Sequence, residues 1–174
     1  ILHQSLRGGF DWVVMQDADV VMTGAQMGIE VVAPVLTMIE HAHQRGAAVA
    51  AAPVEQRDAH GGQLNVFARD GDRVRRLQAG EVVGGVRDVD GIGTGLMAIS
   101  VNWIRDHMPE PPWFHFAHVK GSSGQPAKIG EDIWFCNQVR QRGGIILCDG
   151  RVQPVHIGVG QTGHEHDRTI QAVH

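Results

Sequence analysis

The sequence predicts one α/β domain with a mixed, mainly parallel sheet flanked by helices. Helical spacing of apolar residues alternates along the chain with short apolar runs, a pattern typical of α/β domains. The run that begins at Trp12 is apolar and β-branched, and it ends in Asp17 and Asp19, which indicates a strand buried on both faces. The sequence Asp70-Gly71-Asp72 is a hairpin signal and adds one antiparallel pair. At 174 residues and 43% apolar content, the chain can bury one core but not two.

The first half of the chain contains a long predicted helix between short strands. Apolar residues from Val32 to Ala42 recur with helical spacing, and Gly46 supplies a stop after the last turn. The predicted elements in order are the end of a helix over 1–6, the strand before Asp17, a helix over about 28–44, a buried strand over 47–52, and hairpin strands over 63–69 and 73–77.

The second half repeats this alternation around a glycine-rich turn. The predicted elements are strands over 87–90 and 95–100, a short helix over 101–107, an edge strand or loop over 111–118, a helix over 131–142, a strand over 145–148 and a segment ending near His156. The stretch 119–130 is polar and rich in glycine, serine and lysine, which predicts a mobile loop. Residues 159–174 are predicted to form a loosely held tail.

Composition excludes several classes of function. The formal net charge is −4 and there is no basic run, which argues against nucleic acid as a partner. No apolar stretch approaches the ~20 residues needed to span a bilayer. Cys136 and Cys148 are not in the spacing of a zinc site or a disulfide scaffold. We therefore expect a reducing compartment and a cytoplasmic location. Because the chain begins at Ile1 within a helical pattern, we also expect that it lacks an N-terminal portion.

Asp17 and Asp19 are the first candidate functional residues. Open α/β sheets bind their ligands at the carboxyl ends of strands, where these two carboxylates stand. A buried carboxylate is costly unless it is paired, hydrogen-bonded or bound to a metal. A divalent cation would satisfy both carboxylates and could hold phosphate oxygens. The alternative is an ordinary turn at a strand end with solvated carboxylates.

Three motifs stand in order along the chain: Asp17-Ala18-Asp19, then Asp90-Gly91-Ile92-Gly93-Thr94-Gly95, then Gly130-Glu131-Asp132, with His156 following. Together they resemble the glycosyltransferases of the GT-A fold, close to the family 2-like group. The matching residues are the pair Asp17 and Asp19, the strand residues Gly93, Gly95, Leu96 and Met97, the aromatic stretch Pro112-Trp113-Phe114, the pair Glu131-Asp132 with Phe135-Cys136, and the closing His156-Ile157-Gly158. The resemblance implies a Rossmann-like GT-A catalytic domain over 1–174. Since only ten residues precede Asp11, it also implies that the N-terminal βαβ portion is lacking.

The resemblance implies a metal site and a nucleotide-sugar donor. Asp19 would ligate the metal directly, Asp17 would contact the ribose or the metal through water, and His156 would be a further ligand. Carboxylate oxygens with an imidazole favour Mn²⁺ over Mg²⁺. The implied donor- or substrate-binding residues are Asp17, Gly93, Thr94, Gly95, Trp113 and Glu131.

Asp132 is implied to be the general base on an acceptor hydroxyl, in an enzyme that transfers a sugar to an unknown acceptor. A carboxylate at a helix start has its pKa lowered by the helix dipole, so burial must offset that effect. Each residue also has a simpler interpretation. Asp132 would only complement the dipole, His156 would be a structural histidine, the glycines would mark a tight turn, and Trp113 would lie in the core.

Two other classes of function remain open. Asp17-Ala18-Asp19-Val20-Val21 also resembles the signature of haloacid-dehalogenase-like phosphatases, which implies Asp17 as nucleophile and Asp19 as acid with Mg²⁺. That superfamily also needs a lysine and a later acidic pair near the strand ends, whereas Lys120 and Lys128 are predicted in a loop and Glu131-Asp132 opens a predicted helix. The third interpretation is a non-catalytic remnant that binds a sugar or nucleotide without turnover.

Overall fold

The structure is a computed structural model, and it describes residues 1–22, 32–55, 63–71, 73–120 and 126–156. Several predicted features therefore lie outside the described residues: the first turn of the helix over 28–44, Asp72 of the hairpin, the middle of the loop over 119–130, Ile157 and Gly158, and the tail over 159–174.

The described part of the chain contains five helices and twelve strands. The helices are α1 (Leu2–Arg7), α2 (Val32–Gln44), α3 (Ala79–Val82), α4 (Val101–His107) and α5 (Glu131–Gln141). The strands are β1 (Trp12–Gln16), β2 (Val20–Met22), β3 (Val49–Ala51), β4 (Val66–Asp70), β5 (Arg73–Arg76), β6 (Val86–Asp88), β7 (Gly91–Ile92), β8 (Leu96–Ser100), β9 (Ala117–Lys120), β10 (Pro126–Ile129), β11 (Ile146–Asp149) and β12 (Pro154–His156).

The main sheet is mixed, as predicted, but it is mostly antiparallel. Its five strands lie in the order β1-β8-β3-β11-β6. Strand β3 pairs in parallel with β11, whereas the pairs β1 with β8, β8 with β3, and β11 with β6 are antiparallel. The expectation of a mainly parallel, Rossmann-like sheet is therefore not confirmed in the described residues.

Burial on both faces of the sheet explains why the direction of the strands was mispredicted. Alternate residues of β3 and β8 enter two separate core clusters: Val49, Ala51, Met97 and Ile99 on one face, and Ala50, Leu96 and Ala98 on the other. Helix α2 covers the second face through Met38 and Ala42. A continuous apolar run therefore predicts that a strand is buried on both faces, but it does not predict whether the strand pairs in parallel or antiparallel.

The apolar run before the aspartates also differs from the prediction. It is divided into β1 and β2 by a turn that carries Asp17 and Asp19, closed by a hydrogen bond from the Val20 N–H to the Asp17 carbonyl (3.1 Å). Strand β1 lies at the edge of the sheet, and Val14 is 42% exposed. The prediction of a strand buried on both faces is therefore wrong for β1, which has one neighbour in the sheet and exposes part of one face to solvent.

The smaller sheets surround the ends of these strands. Strands β5, β4 and β7 form a three-stranded sheet, which confirms the predicted hairpin. Strands β9 and β10 form a two-stranded hairpin, so much of the predicted loop over 119–130 is ordered strand. In that hairpin Val119 and Ile129 each pair with an alanine, and composition alone does not indicate such partners. Among the described helices, none is long and apolar enough to cross a membrane.

Candidate functional site

A cavity of about 190 Å³ lies where β1, β7, β8 and α5 meet. It is lined by Asp17, Val54, Glu55, Asn65, Gly93, Thr94, Gly95, Glu131 and Asp132. Six of these nine residues belong to the candidate residues of the three sequence motifs. Segments that are far apart in the sequence therefore converge on one small volume.

Asp17 reaches the cavity from the carboxyl end of β1. Its backbone N–H donates to the carbonyl of Gly95 (3.1 Å), which continues the pairing of β1 with β8 by one residue. Its side chain is exposed at the cavity rather than buried in the sheet. The antiparallel pairing of β1 with β8 thus holds Asp17 of the first motif next to Gly95 of the second.

The glycines of the second motif are required by packing. A Cβ on Gly93 would lie 2.6 Å from Nδ2 of Asn65, and a Cβ on Gly95 would lie 2.8 Å from Cγ2 of Val54. Real Cβ atoms do not approach other atoms so closely, so a larger residue would push these neighbours aside. Because Asn65 and Val54 themselves line the cavity, the glycines shape the cavity wall from behind.

Asp132 stands in the first turn of α5 and is half-buried. Its Oδ2 accepts a hydrogen bond from Nδ2 of Asn65 (3.2 Å), and its Oδ1 accepts one from the N–H of Ile133 (2.7 Å). Burial raises the pKa of Asp132 above its ordinary value, and the charge of Glu131 raises it further, while the two hydrogen bonds act in the opposite direction. The effect of burial on the pKa therefore exceeds the effects that lower it, as the sequence analysis requires if Asp132 is to act as a base.

The cavity is strongly acidic. Asp17, Glu55, Glu131 and Asp132 contribute carboxylates, and the nine lining residues include no lysine, arginine or histidine. Carboxylate oxygens are the hard ligands that Mg²⁺, Mn²⁺ or Ca²⁺ prefers, but no three of these carboxylates come close enough together in the described residues to hold one ion. An anionic ligand would be repelled here without such a cation.

The other two predicted metal ligands, Asp19 and His156, are not among the residues that line the cavity. Strand β2 pairs with β12, and the register places the backbone of His156 opposite Val20, next to Asp19. Within the described residues, no group of three or more histidine, cysteine, aspartate or glutamate side chains could hold a metal ion. The side chain of His156 is not among those described. The sharing of one ion by Asp17, Asp19 and His156 stays a prediction.

Trp113 lies away from the cavity. It is 8% exposed, it belongs to the main core cluster, and its indole N–H donates to the carbonyl of Met108 (2.7 Å). This position agrees with the interpretation of Trp113 as a core residue. Its contact with a donor stays a prediction, since Trp113 does not line the cavity. Its neighbour Phe114 stacks on Phe135, with ring centroids 4.5 Å apart.

Three lining residues were missed from the sequence. Val54 and Glu55 follow the carboxyl end of β3, and the N–H of Asn65 donates to the carbonyl of Val54 (3.3 Å). The rule that singled out Asp17, namely a polar residue after a buried strand, could have singled out Glu55 too. Asn65 carries no comparable signal, because it is brought in by a backbone contact between distant segments.

The comparisons with known proteins show the fold alone. No protein family matches the sequence, and no curated protein is similar to it. The chain is similar in structure to A197 from STIV, with a TM-score of 0.51 and 14% sequence identity over 95% of this chain and 77% of that chain. It is also compared with the uridine diphosphate N-acetylglucosamine pyrophosphorylase from Trypanosoma brucei, with a TM-score of 0.47 and 16% identity. That comparison covers 98% of this chain and 36% of the pyrophosphorylase.

Proposed function

We propose that this chain transfers a sugar from a nucleoside-diphosphate sugar to the hydroxyl of an acceptor. The observation that carries this proposal is the convergence of Asp17, the segment Gly93–Gly95 and the pair Glu131-Asp132 on one cavity. These are the three motifs on which the resemblance to GT-A glycosyltransferases depends. The cavity of about 190 Å³ is smaller than the ~300 Å³ of common ligand pockets, so it suits the reacting sugar rather than the whole donor.

Asp132 would act as the general base. As the acceptor oxygen attacks the anomeric carbon, its proton would pass to the Asp132 carboxylate. The bond between that carbon and the diphosphate oxygen would break, and the nucleoside diphosphate would leave with the electron pair. A carboxylate with a raised pKa is a stronger base than an ordinary aspartate, which favours this role near neutral pH. Asn65 would position it through the hydrogen bond to Oδ2.

A divalent cation, Mn²⁺ rather than Mg²⁺, is part of the proposal. Asp17 and Asp19 would hold it with His156, and Glu55 is a further carboxylate at the cavity. When bound, such an ion offsets the negative charge on a departing diphosphate. The reason for including a cation is charge: the four carboxylates would repel the phosphates of a donor, and the described side chains by themselves do not form a metal site.

The phosphatase interpretation is less well supported. It needs a lysine close to Asp17, and none of the nine lining residues is a lysine. Lys128 lies on β10, where its Nζ is 3.9 Å from the centre of the Phe116 ring. The remaining alternative, a remnant without turnover, makes the same cavity a binding site only.

Turnover of a panel of nucleotide sugars separates these interpretations. The full chain with Mn²⁺ is expected to hydrolyse or transfer sugar from at least one donor. Asp132→Asn keeps the shape of the side chain but removes the base, and it should lower turnover by ~10²–10⁴ while donor affinity stays nearly the same. Asp106→Asn, at an exposed position of α4, is the matched control and should change neither.

Three outcomes would contradict the proposal. Donor binding without any turnover would favour the remnant. A covalent phosphate on Asp17 after incubation with phosphate esters would favour the phosphatase. Full activity of Asp132→Asn would leave Asp132 as a carboxylate that only complements the dipole of α5.

A further inference from the structure

A second cavity, of about 500 Å³, lies beside the C-terminal half of helix α5. It shares no lining residue with the acidic cavity that Asp132 lines. We call it the arginine cavity. Its lining residues are all polar or charged: Arg69, Asp90, Asn137, Arg140 and Gln141.

Three separate parts of the chain build the arginine cavity. The backbone N–H of Asp90, which precedes β7, donates to the carbonyl of Phe67 on β4 (2.9 Å). The backbone N–H of Arg69, at the end of β4, donates in return to Oδ2 of Asp90 (2.5 Å). Asn137 and Gln141 are four residues apart on α5, so they lie on one face of the helix.

Two of the three charged side chains at this cavity are already paired within the protein. Asp90 accepts the backbone N–H at Oδ2, and its Oδ1 lies 3.5 Å from Nε of Arg140. The guanidinium of Arg140 is also paired with Asp88, and it donates to the carbonyl of Gly144 (3.3 Å). Asp90 and Arg140 therefore form a fixed wall of the cavity, and their charges offset each other.

The other three lining side chains make no hydrogen bond or ion pair to any described residue. They are the exposed guanidinium of Arg69 and the carboxamides of Asn137 and Gln141. A guanidinium binds a carboxylate or a phosphate through two parallel N–H groups. A carboxamide both donates and accepts hydrogen bonds, which suits a hydroxyl group. The groups available at this cavity therefore match an anion that also carries hydroxyls.

The lining disfavours two other kinds of ligand. The five residues include no aromatic and no aliphatic side chain, so the lining gives no ring on which a nucleobase could stack and no apolar surface for an acyl chain. The volume of about 500 Å³ lies within the ~300–1,000 Å³ of common ligand pockets. It therefore suits a small organic molecule rather than a phosphate ion alone.

We propose that the arginine cavity binds a small hydroxylated oxyanion, that is, a polyol that carries one phosphate or one carboxylate. The guanidinium of Arg69 binds the oxyanion, and the carboxamides of Asn137 and Gln141 bind hydroxyls. This binding needs neither a nucleotide sugar nor a divalent cation. The proposal is therefore independent of the transferase proposed above, and either one can fail without the other.

The test is an NMR titration of the full ¹⁵N-labelled chain with glucose 6-phosphate, glycerol 3-phosphate, gluconate, glucose and inorganic phosphate. At least one of the three hydroxylated anions should bind about tenfold or more tightly than glucose and inorganic phosphate, because only these three combine a charge with hydroxyls. The better binder of the phosphate esters and gluconate identifies the oxyanion. The side-chain amide signals of Asn137 and Gln141 should shift, whereas that of Gln138, which bonds Arg142 instead, should not.

Two variants at exposed positions test the assigned contacts. Arg69→Gln should weaken binding by about tenfold or more, because it removes the charge that faces the oxyanion. Gln141→Ala should weaken it by about threefold or more, because it removes uncharged hydrogen bonds. The matched control is Arg105→Gln on α4: this arginine is also exposed and donates to the carboxamide of Asn102 (2.6 Å), but it lines neither cavity. The control should leave binding unchanged.

Four outcomes would overturn the proposal. The first is that no hydroxylated anion of the panel binds. The second is that inorganic phosphate binds as tightly as the hydroxylated anions, which would indicate an adventitious ion only. The third is an equal loss in Arg69→Gln and Arg105→Gln, which would indicate a general effect of charge. The fourth is displacement of the bound anion by a nucleoside diphosphate with Mn²⁺, which would place it in the acidic cavity instead.

Discussion

Asp132 combines two opposing influences on its pKa. Its position in the first turn of α5 and its hydrogen bonds from Ile133 and Asn65 favour the charged form. Burial and the adjacent charge of Glu131 favour the neutral form, and burial is the largest effect. The result is a carboxylate that is costly to ionise in the folded protein, a common property of catalytic groups.

This cost gives the Asp132→Asn variant a second expected result. Because the pKa of Asp132 is higher in the folded state than in the unfolded state, ionisation of the carboxylate lowers the stability of the fold as the pH rises through the folded pKa. Asn removes this effect, so the variant should unfold at a higher denaturant concentration than the parent at pH 7. The difference should shrink below about pH 4, where both side chains are neutral. A variant that is less stable at pH 7 would show that the carboxylate is a structural group.

Asn65 provides a separate test at the same scale. Its hydrogen bond lowers the pKa of Asp132, so Asn65→Leu, which keeps a branched side chain but cannot donate, should raise that pKa. The acidic limb of the pH profile of kcat/KM should then move to higher pH. Gln63→Leu, at an exposed position that pairs with Arg76, is the control. An unshifted limb would mean that Asn65 does not tune the base.

The residues of the candidate site that could be predicted are those that belong to the sequence motifs. Asp17, Gly93, Thr94, Gly95, Glu131 and Asp132 could be singled out because their chemistry and their place after a strand or before a helix are visible in the sequence. Asn65 could not, because its role comes from a contact across 67 positions. For Trp113 the sequence left two interpretations open, a donor contact and a core position, because exposure of an aromatic residue is decided by tertiary packing; it is 8% exposed in the structure.

At the scale of elements, two turns are hydrogen-bonded to each other: Gly84-Gly85, between α3 and β6, and Gly150, which follows β11. The N–H of Gly150 donates to the carbonyl of Gly85 (2.7 Å), and its carbonyl accepts from the N–H of Gly84 (2.9 Å). A Cβ on Gly150 would lie 1.9 Å from the carbonyl oxygen of Val82, which is backbone and cannot move independently. Only glycine fits this position.

Gly150→Ala should therefore lower the free energy of unfolding by about 3 kcal/mol or more. The matched control is Gly80→Ala, in the nearby α3, where a Cβ would meet nothing within 4 Å. That change should be neutral or should stabilise the fold by up to about 1 kcal/mol, because alanine favours the helix. Urea unfolding of both variants is the measurement. Similar values for the two would show that the turn is not packed as described.

Elements marked by local sequence features, such as helical spacing of apolar residues or a capping serine, were predicted well, and elements without such features were not. Helix α4 was predicted with its observed bounds, and α5 to within one residue. The side chain of Ser100, which accepts a hydrogen bond from the N–H of Trp103, caps α4 as its residue type suggests. The β9–β10 hairpin was missed, since strands of two-stranded sheets depend on pairing partners more than on propensity.

At the scale of the whole molecule, the predicted class and the observed architecture differ in strand direction. Both faces of the sheet are apolar, so the sequence correctly indicated layers of helices on a buried sheet. The order β1-β8-β3-β11-β6 is set by long connections, and no local signal reports them. Even so, the segments that follow β1 and β3 meet at the cavity, so the rule about strand ends singled out a residue, Asp17, that lines it.

The central claim is the proposal that the cavity takes the sugar of a nucleotide-sugar donor, while a divalent cation held by Asp17 beside it binds the diphosphate. The most direct measurement is calorimetric titration of the full chain with a set of nucleoside diphosphates, with and without Mn²⁺. We expect at least one to bind only when Mn²⁺ is present. We also expect Asp17→Asn to weaken that binding about tenfold or more, while Asp11→Asn, at the other end of β1, leaves it unchanged. Binding that is independent of Mn²⁺, equal in both variants or absent for every nucleoside diphosphate would contradict the account.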